Sequence, residues 1–331
     1  MLHRLRVAAR ICILVPLSSA ACASPLDALT GPSANELASQ AYSQLASSPV
    51  THLAGSFVNA GRRFTLDCTV THAGEAHGAL QVDERAYELL VSGGQTYVRG
   101  KDFWSGYGDA AVAKLYGDSW VALQANGVST LGGPAGPCAV ARALPDRPFQ
   151  AKRDGEARIG GQAAVQLSDS SGRLYVSSAQ PPRLLRVVSA RGYRTPDGSS
   201  DLRLDFDYPR HFQVQAPAVF ISPGDPKTFP AHYVAEGVKI GKCDAAGCAL
   251  SATVRNLAGS PAGQSTATLR LRGADNGDLG SCSVSVPALA YQQTQDLSCT
   301  VSGGPWAGFF RSSSNRQYFA RVTIQNPPYD S

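Results

Sequence analysis

The chain is poor in charged residues and contains no cluster of basic ones. Lys, Arg, Asp and Glu make up 17% of its 331 residues, and the formal net charge of +5 falls to +2 when residues 1–21, which carry three Arg and no acid, are set aside. A nucleic-acid-binding protein needs a basic stripe that contacts many phosphates. The sequence therefore predicts no nucleic-acid partner and no strongly charged partner.

Catalytic motifs are also missing. The chain contains no G-x-S-x-G elbow, no H-E-x-x-H, no phosphate-binding P-loop and no C-x-x-C. Asp275-Asn276-Gly277-Asp278 is explained by a hairpin turn, because no bidentate Glu follows at calcium-loop spacing. The histidines lack the spacing of metal ligands. We therefore expect a protein that is not an enzyme and that has neither a metal nor a cofactor.

The amino-terminal residues have the pattern of an export signal. Arg4, Arg6 and Arg10 accompany a short apolar stretch that ends near Leu17, and small residues lead to Cys22. This pattern predicts a signal peptide over residues 1–21, because the stretch is too short to span a bilayer. Ser-Ala-Ala before Cys22 favours a lipobox, with Cys22 as the lipid-carrying first residue and residues 22–32 as a tether.

An alternative cleavage site overlaps this one. Ala21-Cys22-Ala23 is also an A-x-A site, and cleavage after Ala23 would release a secreted protein; Ser19 also stands where a lipobox usually has Leu. We favour lipidation, since removal of Cys12 and use of Cys22 leave an even number of cysteines. The expected location is the outer face of the cytoplasmic membrane, with the membrane as partner through the lipid.

Six cysteines then remain for disulfides in an oxidising compartment. Cys243 and Cys248 can close a hairpin, and Cys282 and Cys299 can join neighbouring strands. Cys68 and Cys138 are left to pair by elimination, although six cysteines allow fifteen connectivities in all. A thiolate metal site at these spacings is improbable outside the cytoplasm.

The hydrophobic pattern predicts two domains of different architecture. Ser33 and Glu36 form a capping box before a short amphipathic helix, and strands with period two follow, such as residues 64–71 and 201–207. Four prolines in residues 216–230 predict an extended linker. Residues 33–215 are thus expected to be α+β, and residues 231–331 an all-β, immunoglobulin-like sandwich of short strands.

The first domain resembles a known family. The motifs are Gln95-Thr-Tyr-Val-Arg-Gly-Lys-Asp-Phe-Trp104, Ser119-Trp-Val, Gly161-Gln-Ala-Ala-Val-Gln-Leu, Leu174-Tyr-Val and Pro181-Pro-Arg-Leu-Leu-Arg. They are similar to those of actinobacterial LppX/LprG-type lipoproteins, which share the LolA fold. The resemblance, over residues 33–215, implies an antiparallel half-barrel whose helices close its concave face over an apolar cavity that binds acyl chains of lipids or glycolipids.

These observations lead to two competing functions. In the first, the half-barrel of a membrane-anchored lipoprotein holds a lipid-like ligand on the apolar face of its strands, which we expect to be lined by Phe64, Leu66, Val70, Leu80, Val82, Leu167, Leu204 and Phe206. In the second, the half-barrel is simply packed and the sandwich domain binds an envelope protein partner. A void of several hundred Å³ on the concave face would favour the first.

Overall fold

Two regions of mostly antiparallel sheet make up the protein. The structure, a computed structural model, describes residues 31–107, 110–131, 133–144, 150–259, 265–312, 317–327 and 329–330. The predicted signal peptide, Cys22 and most of the tether therefore lie outside the described residues. Among the described residues, no helix is both long and apolar enough to cross a membrane.

The first helix, α1 (Ala34–Ser47), begins at the predicted capping box. The backbone N–H of Glu36 donates to the Ser33 hydroxyl at 3.3 Å, and the backbone N–H of Ser33 donates to the Glu36 carboxylate at 2.7 Å. These hydrogen bonds satisfy donors that the first turn would leave unpaired, and they lower the pKa of Glu36. The sequence predicts an apolar stripe of Leu37, Ala41 and Leu45. Leu37 and Ala41 are buried together with Ala38, while Leu45 is partly buried.

Eleven strands form one antiparallel sheet. In chain order, its strands and the helices among them are β1 (Val50–Asn59), β2 (Arg62–Thr71), β3 (Ala76–Val82), β4 (Arg85–Ser92), β5 (Gln95–Arg99), α2 (Lys101–Tyr107), α3 (Ala110–Tyr116), β6 (Val121–Ala122), α4 (Ala125–Thr130), a 3₁₀ helix (Gly136–Ala143), β7 (Lys152–Ile159), β8 (Gln162–Asp169), β9 (Gly172–Ser177), β10 (Leu184–Ser189) and β11 (Ser200–Asp207). The spatial order is β6-β5-β4-β3-β2-β1-β11-β10-β9-β8-β7. Two meanders therefore meet where β1 pairs with β11.

Local sequence explains the hairpins and the sidedness of this sheet. Gly93 and Gly94, between β4 and β5, have φ values of 58° and 79°, the positive region that the tightest hairpin turns require. Alternate residues of β3 and β11 are buried, including Leu80 and Leu204. One face of the sheet consequently carries the main core, and α1 packs on it over β7, β9 and β10.

The proline-rich segment, residues 216–230, packs along the edge of this sheet. Ile221 forms a parallel bridge with Val121. The Ala122 N–H donates to the Ile221 carbonyl, and the Ile221 N–H donates to the Trp120 carbonyl, both at 2.8 Å. Phe220 packs edge-on against Tyr97, with ring centroids 5.2 Å apart. A short 3₁₀ helix, Pro226–Thr228, follows. The segment predicted as a linker thus also covers the β6 edge of the large sheet.

The second region contains two three-stranded sheets around a shared core. Its elements are β12 (Tyr233–Cys243), β13 (Cys248–Asn256), β14 (Ser265–Gly273), β15 (Asp278–Val286), β16 (Thr294–Val301), α5 (Gly304–Ser312) and β17 (Tyr318–Ile324). The sheets have the orders β12-β13-β16 and β15-β14-β17. Leu250 and Leu269 from facing sheets are both buried in the core between them.

One element of this region corrects the prediction that it contains strands alone. Residues 304–312 form α5, because Trp306, Phe309 and Phe310 lie at i, i+3 and i+4 and give a helix one apolar face. Trp306 is fully buried, and its indole N–H donates to the carbonyl of Asp244 at 2.8 Å. The helix therefore closes one end of the shared core.

The three disulfides join the pairs that the sequence analysis predicted. Cys68 is bonded to Cys138, Cys243 to Cys248 and Cys282 to Cys299. Cys243 and Cys248 are direct partners on β12 and β13, and the hairpin between β14 and β15 turns at Asn276, whose φ is 67°. The turn interpretation of residues 275–278 is therefore confirmed.

Candidate functional site

A cavity of about 500 Å³ lies between α1 and the buried face of the large sheet. Its walls come from the second half of α1, from the first residues of β1, from the end of β2 and from the 3₁₀ helix after α4. The residues that line it are Tyr42, Ser43, Leu45, Ala46, Ser48, Thr51, Leu53, Val70, Thr71, His72, Cys138 and Leu144. Its volume falls within the range of about 300–1,000 Å³ that is typical of small-molecule sites.

Two elements that pack on different strands of the sheet cover this space. Helix α1 packs over β7, β9 and β10, whereas the 3₁₀ helix packs on β2. The Cys68–Cys138 disulfide fixes the 3₁₀ helix to β2, with 5.7 Å between the two Cα atoms. The sheet between these covers, at Thr51 and Leu53 of β1, forms the floor of the cavity.

The described residues around the cavity supply apolar surface inside it and polar surface at one side. Leu45, Leu53 and Val70 supply apolar surface, while Ser43 and His72 are exposed. The lining residues named above include no Asp, Glu, Lys or Arg. Burial, and secondarily the negative charge of Asp169, raise the pKa of Tyr42 above its ordinary value of 10. The phenol of Tyr42 therefore stays protonated and neutral at physiological pH.

Hydroxyl groups near the cavity are used by the protein itself. The Ser48 hydroxyl donates to the Val50 carbonyl at 2.7 Å, and the Glu75 N–H donates to the Thr71 hydroxyl at 3.0 Å. These contacts stabilise the backbone where β1 begins and β2 ends. The arrangement can accommodate an apolar chain without breaking a hydrogen bond.

The eight residues expected to line the cavity lie on the same face of the sheet as the cavity. Most of them, however, belong to the filled core and do not border the cavity. Val70 lines the cavity. Leu66, Leu80, Val82, Leu167, Leu204 and Phe206 are buried in the main core, and Phe64 is partly buried and stacks on Phe57 with ring centroids 5.0 Å apart. The register explains this division: Leu204, Gly55, Leu66 and Leu80 form one row across four strands, while Thr51 and Val70 form another nearer the cavity.

Sequence reasoning missed several lining residues. Leu53 and Thr51 lie on β1. There the buried Leu53 stands between the less buried His52 and Ala54, which is the two-residue period of a strand. Leu45 belongs to the stripe that predicted α1, but the sequence does not show that this end of the helix faces a void. Leu144 and Cys138 come from the irregular segment after α4, which carries no periodic signal.

An open groove of about 410 Å³ lies elsewhere, beside β3, β4 and β5. Arg99 borders it and is neutralised by Glu88, whose two carboxylate oxygens each accept from Arg99 Nη2 at 2.7 Å. The Arg99 guanidinium also lies 4.7 Å from the centre of the Trp120 ring. Arg99 and Glu88 thus neutralise each other, and Asp118 is the third charged residue that lines the groove. Across the described part of the chain, no group of three or more His, Cys, Asp or Glu side chains is placed to hold a metal ion.

Comparisons with known proteins give little guidance. The chain matches no protein-family model and no curated protein. Among solved structures, the crystal structure of MucB in complex with MucA(peri) is similar to it, at 12% sequence identity over 88% of this chain and 98% of that chain, with a TM-score of 0.25. A TM-score this low does not establish a shared fold. The cavity therefore has to be interpreted from its own residues.

Proposed function

We propose that this protein is an exported lipoprotein that binds an apolar, acyl-chain-like ligand in the cavity beneath α1. The observation that carries the proposal is the void of about 500 Å³ with Leu45, Leu53 and Val70 in its walls. Apolar space that stays open in a folded protein gives up packing contacts that a ligand would restore. Binding without catalysis is the function that such a lining supports.

The architecture supports the same proposal. A single antiparallel sheet covered on one face by α1 and a 3₁₀ helix is what a LolA-like half-barrel requires. For the second domain, the orders β12-β13-β16 and β15-β14-β17 correspond to strands A-B-E and C′-C-F of an immunoglobulin-like sandwich. In this proposal that domain adds a surface for a partner in the envelope.

Native mass spectrometry followed by organic extraction tests ligand binding. The chain from residue 24 onward contains every described residue and avoids the signal and the lipid. We expect co-purified lipid in the parent protein and its loss in Leu45→Trp, because the indole would enter the cavity from α1. Leu257→Trp is the matched control, since Leu257 is 37% exposed in a different region.

Two results would contradict ligand binding and support the alternative, in which the domains act only as an interaction module. One is a parent protein that is repeatedly free of lipid and fails to take up a fluorescent fatty acid. The other is equal lipid content in Leu45→Trp and in the parent, which would locate the lipid outside this cavity.

We further propose that Cys22 carries the lipid and anchors the protein to the outer face of the cytoplasmic membrane. Two acyl chains make anchoring stable, whereas one binds only marginally. In membranes washed at high salt, which screens electrostatic contacts with the bilayer, Cys22→Ala should therefore move the protein from the membrane fraction to the soluble fraction. A mature chain that begins at Ser24 would show instead that the protein is cut after Ala23 and secreted.

A further inference from the structure

Three arginines lie close together on the outer face of the sheet β15-β14-β17. Arg270 on β14 is the direct partner of Arg321 on β17, and Arg272 lies two residues further along β14, opposite Phe319. Since Leu269 and Leu271 point into the core, the arginines occupy the other face. Like charges directly opposite each other destabilise a sheet, so this placement is unfavourable for the isolated domain.

The domain provides little compensation for these charges. The carboxylate of Asp278 lies 4.0 Å from Arg270 Nε and is 57% exposed, and its other oxygen accepts the Gly280 N–H. Asp278 is also the direct partner of Arg272 across β14 and β15, but neither Arg272 nor Arg321 forms an ion pair with any residue that the structure describes. The Arg321 guanidinium lies 5.2 Å from the centre of the Phe319 ring. Arg272 Nε is buried without a hydrogen-bond partner there. The patch of Arg270, Arg272 and Arg321, the arginine face, therefore has excess positive charge.

The outer face of the other sandwich sheet is different. There Arg255 pairs with Glu236 at 2.7 Å, and Asp296 accepts a hydrogen bond from Thr253 at 2.6 Å. Lys239 lies on the same sheet and is exposed. The two acids there, Glu236 and Asp296, equal Arg255 and Lys239 in number, whereas the arginine face has Asp278 beside three arginines. The excess positive charge therefore lies on one surface of the domain.

We propose that the arginine face docks on an anionic phospholipid surface. Guanidinium groups bind phosphate oxygens in a bidentate manner and are weakly hydrated. Ser281 lies opposite Arg270, and Phe319 lies opposite Arg272. Guanidiniums spread over one sheet face are complementary to a layer of phosphate headgroups.

Docking would bring the sandwich domain against the membrane independently of the cavity. It uses a different domain and a different face, so its test does not depend on whether the cavity holds a ligand. Basic residues near an anionic bilayer each contribute a binding free energy equivalent to about five-fold in affinity. Arg270 and Arg321 together should therefore account for about 25-fold.

Vesicle co-sedimentation of the chain from residue 24 onward tests the proposal. We expect binding to vesicles of equal parts phosphatidylglycerol and phosphatidylcholine, no binding to phosphatidylcholine alone, and weaker binding at high salt. Arg270→Gln and Arg321→Gln should each reduce binding about five-fold. Lys239→Gln removes the same charge from the opposite sheet and should leave binding unchanged, while Arg321→Lys keeps the charge and should retain most of it.

Three outcomes would overturn the proposal. They are failure of the parent to bind the anionic vesicles, equal losses in Lys239→Gln and Arg321→Gln, and binding of a Glu-rich peptide in place of vesicles, which would identify an acidic protein partner. Circular dichroism melting checks that the variants fold. If Arg270→Gln melts early, the pair Arg321→Gln and Arg321→Lys decides the question on β17 alone.

Discussion

Cys68 on β2 and Cys138 on the 3₁₀ helix are bonded to each other at the wall of the cavity. Both are almost fully buried, with 0% and 1% of their surface exposed. The bond spans 70 residues of chain, and it holds one of the two elements that cover the cavity. The disulfide therefore fixes one wall of the cavity in the folded protein and also restricts the conformations of the unfolded chain.

Replacing both Cys68 and Cys138 by Ala should lower the free energy of unfolding by about 4 kcal/mol, because the bond closes a long loop. Ligand binding should fall as well, since the 3₁₀ helix is no longer fixed to β2. The control is Cys282→Ala with Cys299→Ala, where a separation of 17 residues predicts a loss of about 3 kcal/mol and unchanged binding. Urea unfolding and fatty-acid uptake measure the two effects. Equal binding in both double variants would contradict a role for Cys138 in the cavity.

A second prediction concerns Asn256, which is fully buried at the end of β13. Its side-chain oxygen accepts from the N–H groups of His232 and Ala258, at 3.1 and 3.2 Å. Its amide donates to the carbonyls of Gly259 and Leu289, at 3.2 and 2.8 Å. The His232 N–H keeps a second acceptor, the Ala258 carbonyl at 3.3 Å. Asn256→Ala would leave the other three groups without this partner, and we expect a loss of about 3 kcal/mol in urea unfolding. A loss below about 1 kcal/mol would mean that water replaces the amide.

A third prediction links stability to pH through Asp83, in the turn between β3 and β4. Its carboxylate accepts the Arg63 backbone N–H at 3.0 Å and Arg62 Nε at 3.2 Å. These hydrogen bonds, the backbone one first, lower the pKa of Asp83 below its ordinary value of 3.8. The carboxylate therefore stabilises the fold above pH 3.8, and the contribution is lost as the pH falls through the lowered value.

Asp83→Asn provides the matched comparison, because Asn also tolerates the positive φ of 56° at this position. Urea unfolding should show the parent to be more stable than the variant at pH 6, and the difference should shrink as the pH falls below 3.8 to pH 2. A difference that is the same at both values would show that the carboxylate charge contributes nothing.

Much of the local structure follows from local sequence. The capping box at Ser33 predicts where α1 begins, the alternation around Leu204 predicts the buried face of β11, and Gly93-Gly94 predicts a hairpin. Each of these signals acts over a few residues. For α5 the sequence does contain a local signal, because the spacing of Trp306, Phe309 and Phe310 indicates a helix. Gly304 and Pro305, its first two residues, are also typical of a turn.

The position of the cavity depends on long-range pairing. Alternation shows that Leu204 and Leu53 face the core, but it does not show which row of the sheet each occupies. The pairing of β1 with β11 joins residues about 150 positions apart, as in Leu53 with Phe206. Nor does the alternation show where α1 ends relative to these rows. The sequence therefore predicts the apolar face, and the register decides which part of it is open.

The last prediction distinguishes the part of the apolar face that borders the cavity from the part that is filled. Leu53→Phe should leave the free energy of unfolding nearly unchanged, because the larger ring can extend into the void beside Val70, and it should reduce ligand uptake. Leu204→Phe should lower the free energy of unfolding by about 1–3 kcal/mol, as overpacking does in a filled core.

The reason is the packing around each leucine. Leu204 is fully buried and pairs with Gly55 on β1 and Val187 on β10. At Gly55 even an added Cβ would lie 2.0 Å from the carbonyl oxygen of Arg203, so β1 has no space to move. Leu53 is also buried, with 1% exposed, but one side of it faces the cavity. Thermal melting and fatty-acid uptake of the two variants give the test, and a Leu53→Phe protein destabilised as much as Leu204→Phe would mean that the cavity closes in solution.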